Sequence, residues 1–195
     1  MLKVVETLSS DEWSWKHLSQ NPSITLEFVE GHLDKPWDWK LLSENPSITP
    51  ELVENHLDKP WNWLWLSHNP SITPEFVENH LDKPWNWMTL SANSSITPEF
   101  VRKYFNKPWD WEVLSAHPSI KPEFMENHID MPWNWSWVSR NPNLTIDFIQ
   151  RHHDKPWDWE ILSMNLFTRE IQRQRKHDSF YHKPWMLQRI LKTFF

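Results

Sequence analysis

Pro36-Trp37-Asp38-Trp39-Lys40-Leu41-Leu42-Ser43-Glu44-Asn45-Pro46-Ser47-Ile48-Thr49-Pro50-Glu51-Leu52-Val53-Glu54-Asn55-His56-Leu57-Asp58-Lys59 is one copy of a unit with a 24-residue period. Its first tryptophan returns at Trp13, Trp37, Trp61, Trp85, Trp109, Trp133 and Trp157. A second series runs two residues behind, at Trp15, Trp39, Trp63, Trp87, Trp111, Trp135 and Trp159. Seven copies without an insertion or deletion mark a stack of identical supersecondary units.

Two helix starts can be read in each unit. Between the paired tryptophans stands Ser14, Asp38, Asn62, Asn86, Asp110, Asn134 or Asp158. Each is a preferred N-cap, because its side-chain oxygen accepts an orphan N–H of the first turn. With Asp38 as the cap, Trp37 and Leu42 take the two positions of a hydrophobic staple. The Leu42 position is aliphatic in all seven copies: Leu18, Leu42, Leu66, Leu90, Leu114, Val138 and Leu162. Asn45-Pro46 stops this helix within about two turns. The second start is Thr49-Pro50-Glu51, where Thr caps, Pro sits at N1 and Glu faces the positive end of the dipole. Leu52, Val53 and Leu57 then fall on one helical stripe with His56 between them.

Such short helices are marginal alone, since isolated helices below about 12–15 residues rarely persist in water. Stacking has to hold them. A buried Trp covers about 150–250 Å², an upper bound of about 4–6 kcal/mol at about 25 cal/mol/Å². The expected fold is an all-α solenoid of seven 24-residue two-helix repeats with a cap at each end. Residues 1–12 form the N-terminal cap, 13–163 the repeats and 164–195 a basic C-terminal cap. A stack at about 8–10 Å per unit makes a rod or arc about 60–70 Å long.

Composition excludes several classes of chemistry. The 195 residues contain no Cys, hence no disulfide, thiolate metal site or cysteine nucleophile. The one glycine, Gly31, excludes Gly-rich phosphate loops and dinucleotide fingerprints. A net charge of -6 argues against general nucleic-acid binding. No apolar run approaches a membrane span of about 20 residues, and Met1 to Glu12 carries no signal-peptide core. The three glycosylation sequons, at Asn93, Asn134 and Asn143, are therefore read as chance matches.

The blocks Lys-Pro-Trp-(Asp/Asn)-Trp, Leu-Ser-x-Asn-Pro-Ser-Ile-Thr and Glu-Phe-Val-Glu-Asn-His resemble the tandem Trp-rich repeats of giant DNA viruses that infect protists. The likeness covers roughly residues 13–165. It departs where those repeats often carry Trp after Thr: here Pro50, Pro74, Pro98 and Pro122, or Leu26 and Ile146, take the position. The resemblance implies a viral source and a host-cell or virion setting. It brings no assigned chemistry and no catalytic residues.

The recurrent polar residues do not assemble an enzyme. His32, His56, His80, His128 and His152 share one repeat position, with Tyr104 in the fourth slot. Zinc ligands lie about 2 Å from their ion, whereas stacked helices are about 8–10 Å apart, so this row is expected to pack or to bond helix ends. Ser43 and its six equivalents lack a placed base and are expected to bond the end of the first helix. The carboxylates all meet one repeated environment, whereas an acid–base pair needs two different ones. No catalytic residue, cofactor or metal is expected.

An interaction role is the remaining reading. If one tryptophan row were exposed it would offer aromatic platforms for sugars or a proline-rich peptide; regular spacing favours burial of most rings. Trp65 and Trp137 are extra tryptophans outside the two rows, and candidates for a contact surface. Residues 164–195 hold seven Lys/Arg against two acids, a balance of +5, while the rest carries 13 basic and 24 acidic residues, a balance of -11. Arg173, Arg175 and Lys176 centre that basic end. Either it complements the last acidic unit, or it meets an acidic partner, possible self-association included. The expected function is a non-enzymatic scaffold for protein partners, with no nucleic acid and no membrane, in host cytoplasm or virion and not secreted. A structural virion component and carbohydrate or peptide binding through exposed Trp are the alternatives.

Overall fold

A computed structural model describes residues 13–165. The two terminal caps, apart from Met164 and Asn165, lie outside the described residues, as do Arg173, Arg175 and Lys176. Among the described residues all regular structure is helical, and the helices alternate between two kinds. The tryptophan-initiated helices are α1 (Trp15–Gln20), α3 (Trp39–Glu44), α5 (Trp63–His68), α7 (Trp87–Leu90), α9 (Trp111–Ala116) and α11 (Trp135–Val138). Between them come α2 (Leu26–Glu30), α4 (Pro50–Asn55), α6 (Pro74–Asn79), α8 (Pro98–Lys103), α10 (Pro122–Asn127) and α12 (Ile146–Arg151). Residues 159–165 are helical and open a seventh unit. The chain is an all-α solenoid, and the described part comprises six complete units and the first helix of the seventh.

The cap residues perform as their chemistry requires. Asp38 Oδ1 accepts from Leu41 N at 3.1 Å and Asn62 Oδ1 from Trp65 N at 3.2 Å. Thr49 Oγ1 accepts from Leu52 N at 3.3 Å, with Pro50 at the first helical position. Lys121 is the exception: it stands at the N-cap of α10 and makes no side-chain cap bond.

One continuous core runs the length of the stack. Each first helix contributes its aliphatic residue, and Leu42, Leu66, Leu90, Leu114 and Val138 are fully buried. Each second helix contributes a pair such as Leu52 and Val53 or Phe100 and Val101, and the connecting turn adds Ile48, Ile72, Ile96 and Ile120. First helices of consecutive units pack directly on each other, α1 on α3, α3 on α5, α5 on α7 and α9 on α11.

The second helices end sooner than the apolar stripe alone implies. α4 stops at Asn55; His56 is its C-cap, and Leu57 packs half-buried from the following turn. In three equivalent copies the histidine ring takes the carbonyl at which the helix ends. His80 Nδ1 lies 2.9 Å from Phe76 O, the carbonyl that a continuing helix would offer to the His80 amide. That amide bonds Val77 O instead, closing a tighter final turn. His32 and His128 treat Phe28 O and Phe124 O in the same way, both at 2.8 Å.

Candidate functional site

The polar residues that recur in the sequence are used at the joints between units. Ser43 Oγ donates to Trp39 O within its own helix at 2.7 Å and accepts the backbone N–H of Asn62, in the next unit, at 2.9 Å. The second bond repeats along the array: Ser19 to Asp38, Ser67 to Asn86, Ser91 to Asp110, Ser115 to Asn134 and Ser139 to Asp158. One hydroxyl therefore finishes one helix and fixes the start of the next unit's helix. The local reading of Ser43 missed the second of these bonds.

Asparagine makes a second ladder, which sequence reading missed. Asn69 is 1% exposed. Its Nδ2 donates to Ser43 O at 3.2 Å and to Asn45 O at 3.0 Å, both in the preceding unit, while its Oδ1 accepts from Ser71 N in its own turn. Asn45, Asn93 and Asn165 repeat the backward pair of donations. Asn141 makes it too and adds Ile120 O. The signal was available: a buried amide at one fixed position, with a single replacement, His117. That ring accepts from Ser119 N at Nδ1, which leaves the proton on Nε2 to donate to Asn93 O at 3.2 Å. Burial lowers the pKa of His117.

The two tryptophan rows form the third joint. The first row is buried: Trp37, Trp61, Trp85, Trp109, Trp133 and Trp157 are 5–7% exposed. Each indole N–H donates to the carbonyl at the end of the preceding second helix, as Trp61 Nε1 does to His56 O at 2.8 Å. The second row lies against it edge to face. Trp39 meets Trp61 at 5.0 Å and 84°, and Trp63 meets Trp85 at 4.9 Å and 85°. The outer faces of several second-row rings carry a lysine: Lys59 over Trp39, Lys107 over Trp87 and Lys155 over Trp135, at 5.2–5.8 Å. Ring faces so occupied do not form a bare aromatic platform.

Once these joints are made, little recurrent polar chemistry is left over. Among the described residues no three His, Asp or Glu side chains come together in an arrangement that would hold a metal ion. His80 Nε2 is 2.8 Å from Glu54 Oε2, and Arg151 Nε donates to Glu126 Oε1 at 2.7 Å; both contacts bridge adjacent units. The Arg151 bond holds the Glu126 carboxyl below its usual range. No helix among the described residues is long and apolar enough to cross a membrane.

Variation between copies is concentrated on the outer face of the first helices. The residue after the second Trp is Lys16, Lys40, Leu64, Met88, Glu112, Ser136 or Glu160. The next is His17, Leu41, Trp65, Thr89, Val113, Trp137 or Ile161. Trp65 and Trp137 thus sit on this face, both half-buried, three units apart and not in one cluster. Arg140 lies over Trp137 at 5.3 Å. No protein family, curated protein or solved structure matches this chain. The face is therefore judged on its own chemistry.

Proposed function

We propose that this chain is a non-enzymatic scaffold that binds protein partners through the outer face of its first helices. One observation carries the reading. The recurrent Trp, Ser, Asn and aliphatic residues are consumed in joints and core, while the two residues after each second Trp, which differ from unit to unit, lie exposed or half-buried on the first helices. A solenoid built in this way holds its shape with one set of positions and varies its surface with another. Leu41, Leu64, Trp65, Met88, Val113 and Trp137 make that surface more apolar than the acidic faces of the second helices, which carry Glu51, Glu75, Glu99 and Glu123. Aromatic and Met side chains of this kind are enriched at protein interfaces. In keeping with the likeness to viral repeats, the setting we propose is an infected cell or the virus particle.

Affinity capture with the full chain, followed by calorimetry on the purified partner, tests the reading. Saturable binding that falls at least tenfold with Trp137→Ala or Val113→Glu, and not with Glu51→Gln on the second-helix face, is expected. Binding that ignores the first-helix substitutions, or turnover of a small molecule by the pure chain, would overturn it.

A further inference from the structure

We infer that the same outer face recognises a second copy of this chain, the two solenoids pairing antiparallel about a two-fold axis between Leu64 and Met88. The inference rests on the scaffold reading and names one partner for that face.

The position after the second Trp is polar in five units, as Lys16, Lys40, Glu112, Ser136 and Glu160. It is apolar in two adjacent central units, where Leu64 is 46% and Met88 59% exposed. Large exposed apolar side chains side by side mark a surface that gains by being covered. Half-buried Trp65 lies next to Leu64 in sequence on the same helix.

The sequence around this pair is self-complementary in one register. A two-fold contact requires that if one residue meets another, the second also meets the first. About an axis between the third and fourth units, Leu64 lies opposite Met88, Leu41 opposite Val113, and Lys40 opposite Glu112. Apolar meets apolar and cation meets anion, each twice by symmetry. Lys16 falls opposite Ser136, which is neutral. Glu112 already accepts from Asn134 Nδ2 at 3.1 Å through Oε1, which leaves Oε2 to face Lys40 of the other copy. Slipping the register by one unit keeps a Lys16 pair, with Glu112 or with Glu160, but sets Met88 against Lys40 or Leu64 against Glu112 and so leaves a charge on an apolar side chain at the centre. Pairing the arrays in parallel sets Lys40 on Lys40 and Glu112 on Glu112. Both alternatives are penalised by like charges or by stranded ones.

The face is narrow, so the pair belongs with interfaces burying less than about 1,200 Å², which are weak and transient. Sedimentation velocity of the full chain, from low micromolar to several hundred micromolar, reads it directly. The expected result is a monomer that becomes a dimer with concentration. Leu64→Glu should weaken the dimer at least tenfold. Lys40→Glu alone should also weaken it, and adding Glu112→Lys should restore it, while circular dichroism stays unchanged. A chain monomeric throughout would overturn the inference, even if the capture experiment finds another partner on this face. So would a dimer indifferent to Leu64→Glu and to the charge swap, which would place the contact elsewhere. A dimer sensitive to both, from a chain that captures nothing else, upholds the pairing while the wider scaffold role fails.

Discussion

Asparagine is the residue on which each joint turns. Its amide nitrogen reaches two carbonyls of the preceding unit while its oxygen holds its own turn, a division that neither Asp nor Leu can reproduce. Replacing Asn69 by Ala removes three bonds of about 1 kcal/mol each and strands buried carbonyls, so a loss of about 2–4 kcal/mol is expected. Asn69→Asp should cost more, because a carboxylate would face two carbonyl oxygens; urea denaturation of the pair checks the order. His117 is the opposite case. It donates once where Asn donates twice, so His117→Asn should add about 1 kcal/mol and raise the melting temperature by about 2–4 °C. The pH dependence follows from burial. The folded pKa lies below the ordinary 6.5, so the unfolded chain takes up this proton first. Stability present above about 6.5 is therefore lost as pH falls toward the folded value. His117→Asn should remove this component, as melting curves between pH 7.5 and 5 would read. A melting temperature lowered by the substitution would show that the ring is preferred at its site.

At the scale of the helix, the sequence was legible wherever a signal is local. The Trp-(Asp/Asn)-Trp and Thr-Pro-Glu starts predict caps, and Asp38, Asn62 and Thr49 make them. The aliphatic residue after each first cap predicts the core, and Leu42 and Leu66 are fully buried. What stayed hidden is bonding between units. Asn-Pro reads as a helix stop and Ser as a helix-end hydroxyl, and both readings are true locally. Neither shows that the partners lie 19, 24 and 26 residues away, since such reach depends on the stacking distance and not on neighbours in sequence. The interaction surface was legible only in part. Trp65 and Trp137 stood out as extra aromatics, but their common face with Leu64 and Met88 needed the helix geometry. One element departs from the cap pattern. Lys121 leaves α10 without a side-chain cap, so Lys121→Thr should supply the missing acceptor and add about 1 kcal/mol. Unchanged stability would mean that other contacts of the Lys121 side chain compensate for the missing cap.

Across the whole molecule the joints have a direction. From the second unit to the seventh, each donates a backbone N–H and an indole N–H to the unit before it, and all but the fifth add an asparagine amide, so the described array has a direction. Edge-to-face tryptophan pairs add about 0.5–1.5 kcal/mol each beyond burial, and the stack is held by neighbour-to-neighbour terms. Side-chain-to-backbone bonds hold the units together in addition to apolar packing. Hydrogen exchange of the full chain tests it at six amides: Asp38, Asn62, Asn86, Asp110, Asn134 and Asp158. These precede their helices, where no intrahelical acceptor exists and an unbonded amide exchanges freely. Each instead donates to a serine hydroxyl of the previous unit at 2.9–3.0 Å. All six are expected to exchange as slowly as the helix interiors, and Ser67→Ala is expected to release Asn86. Exchange at free-peptide rates at these six amides, with the helices still protected, would contradict that expectation.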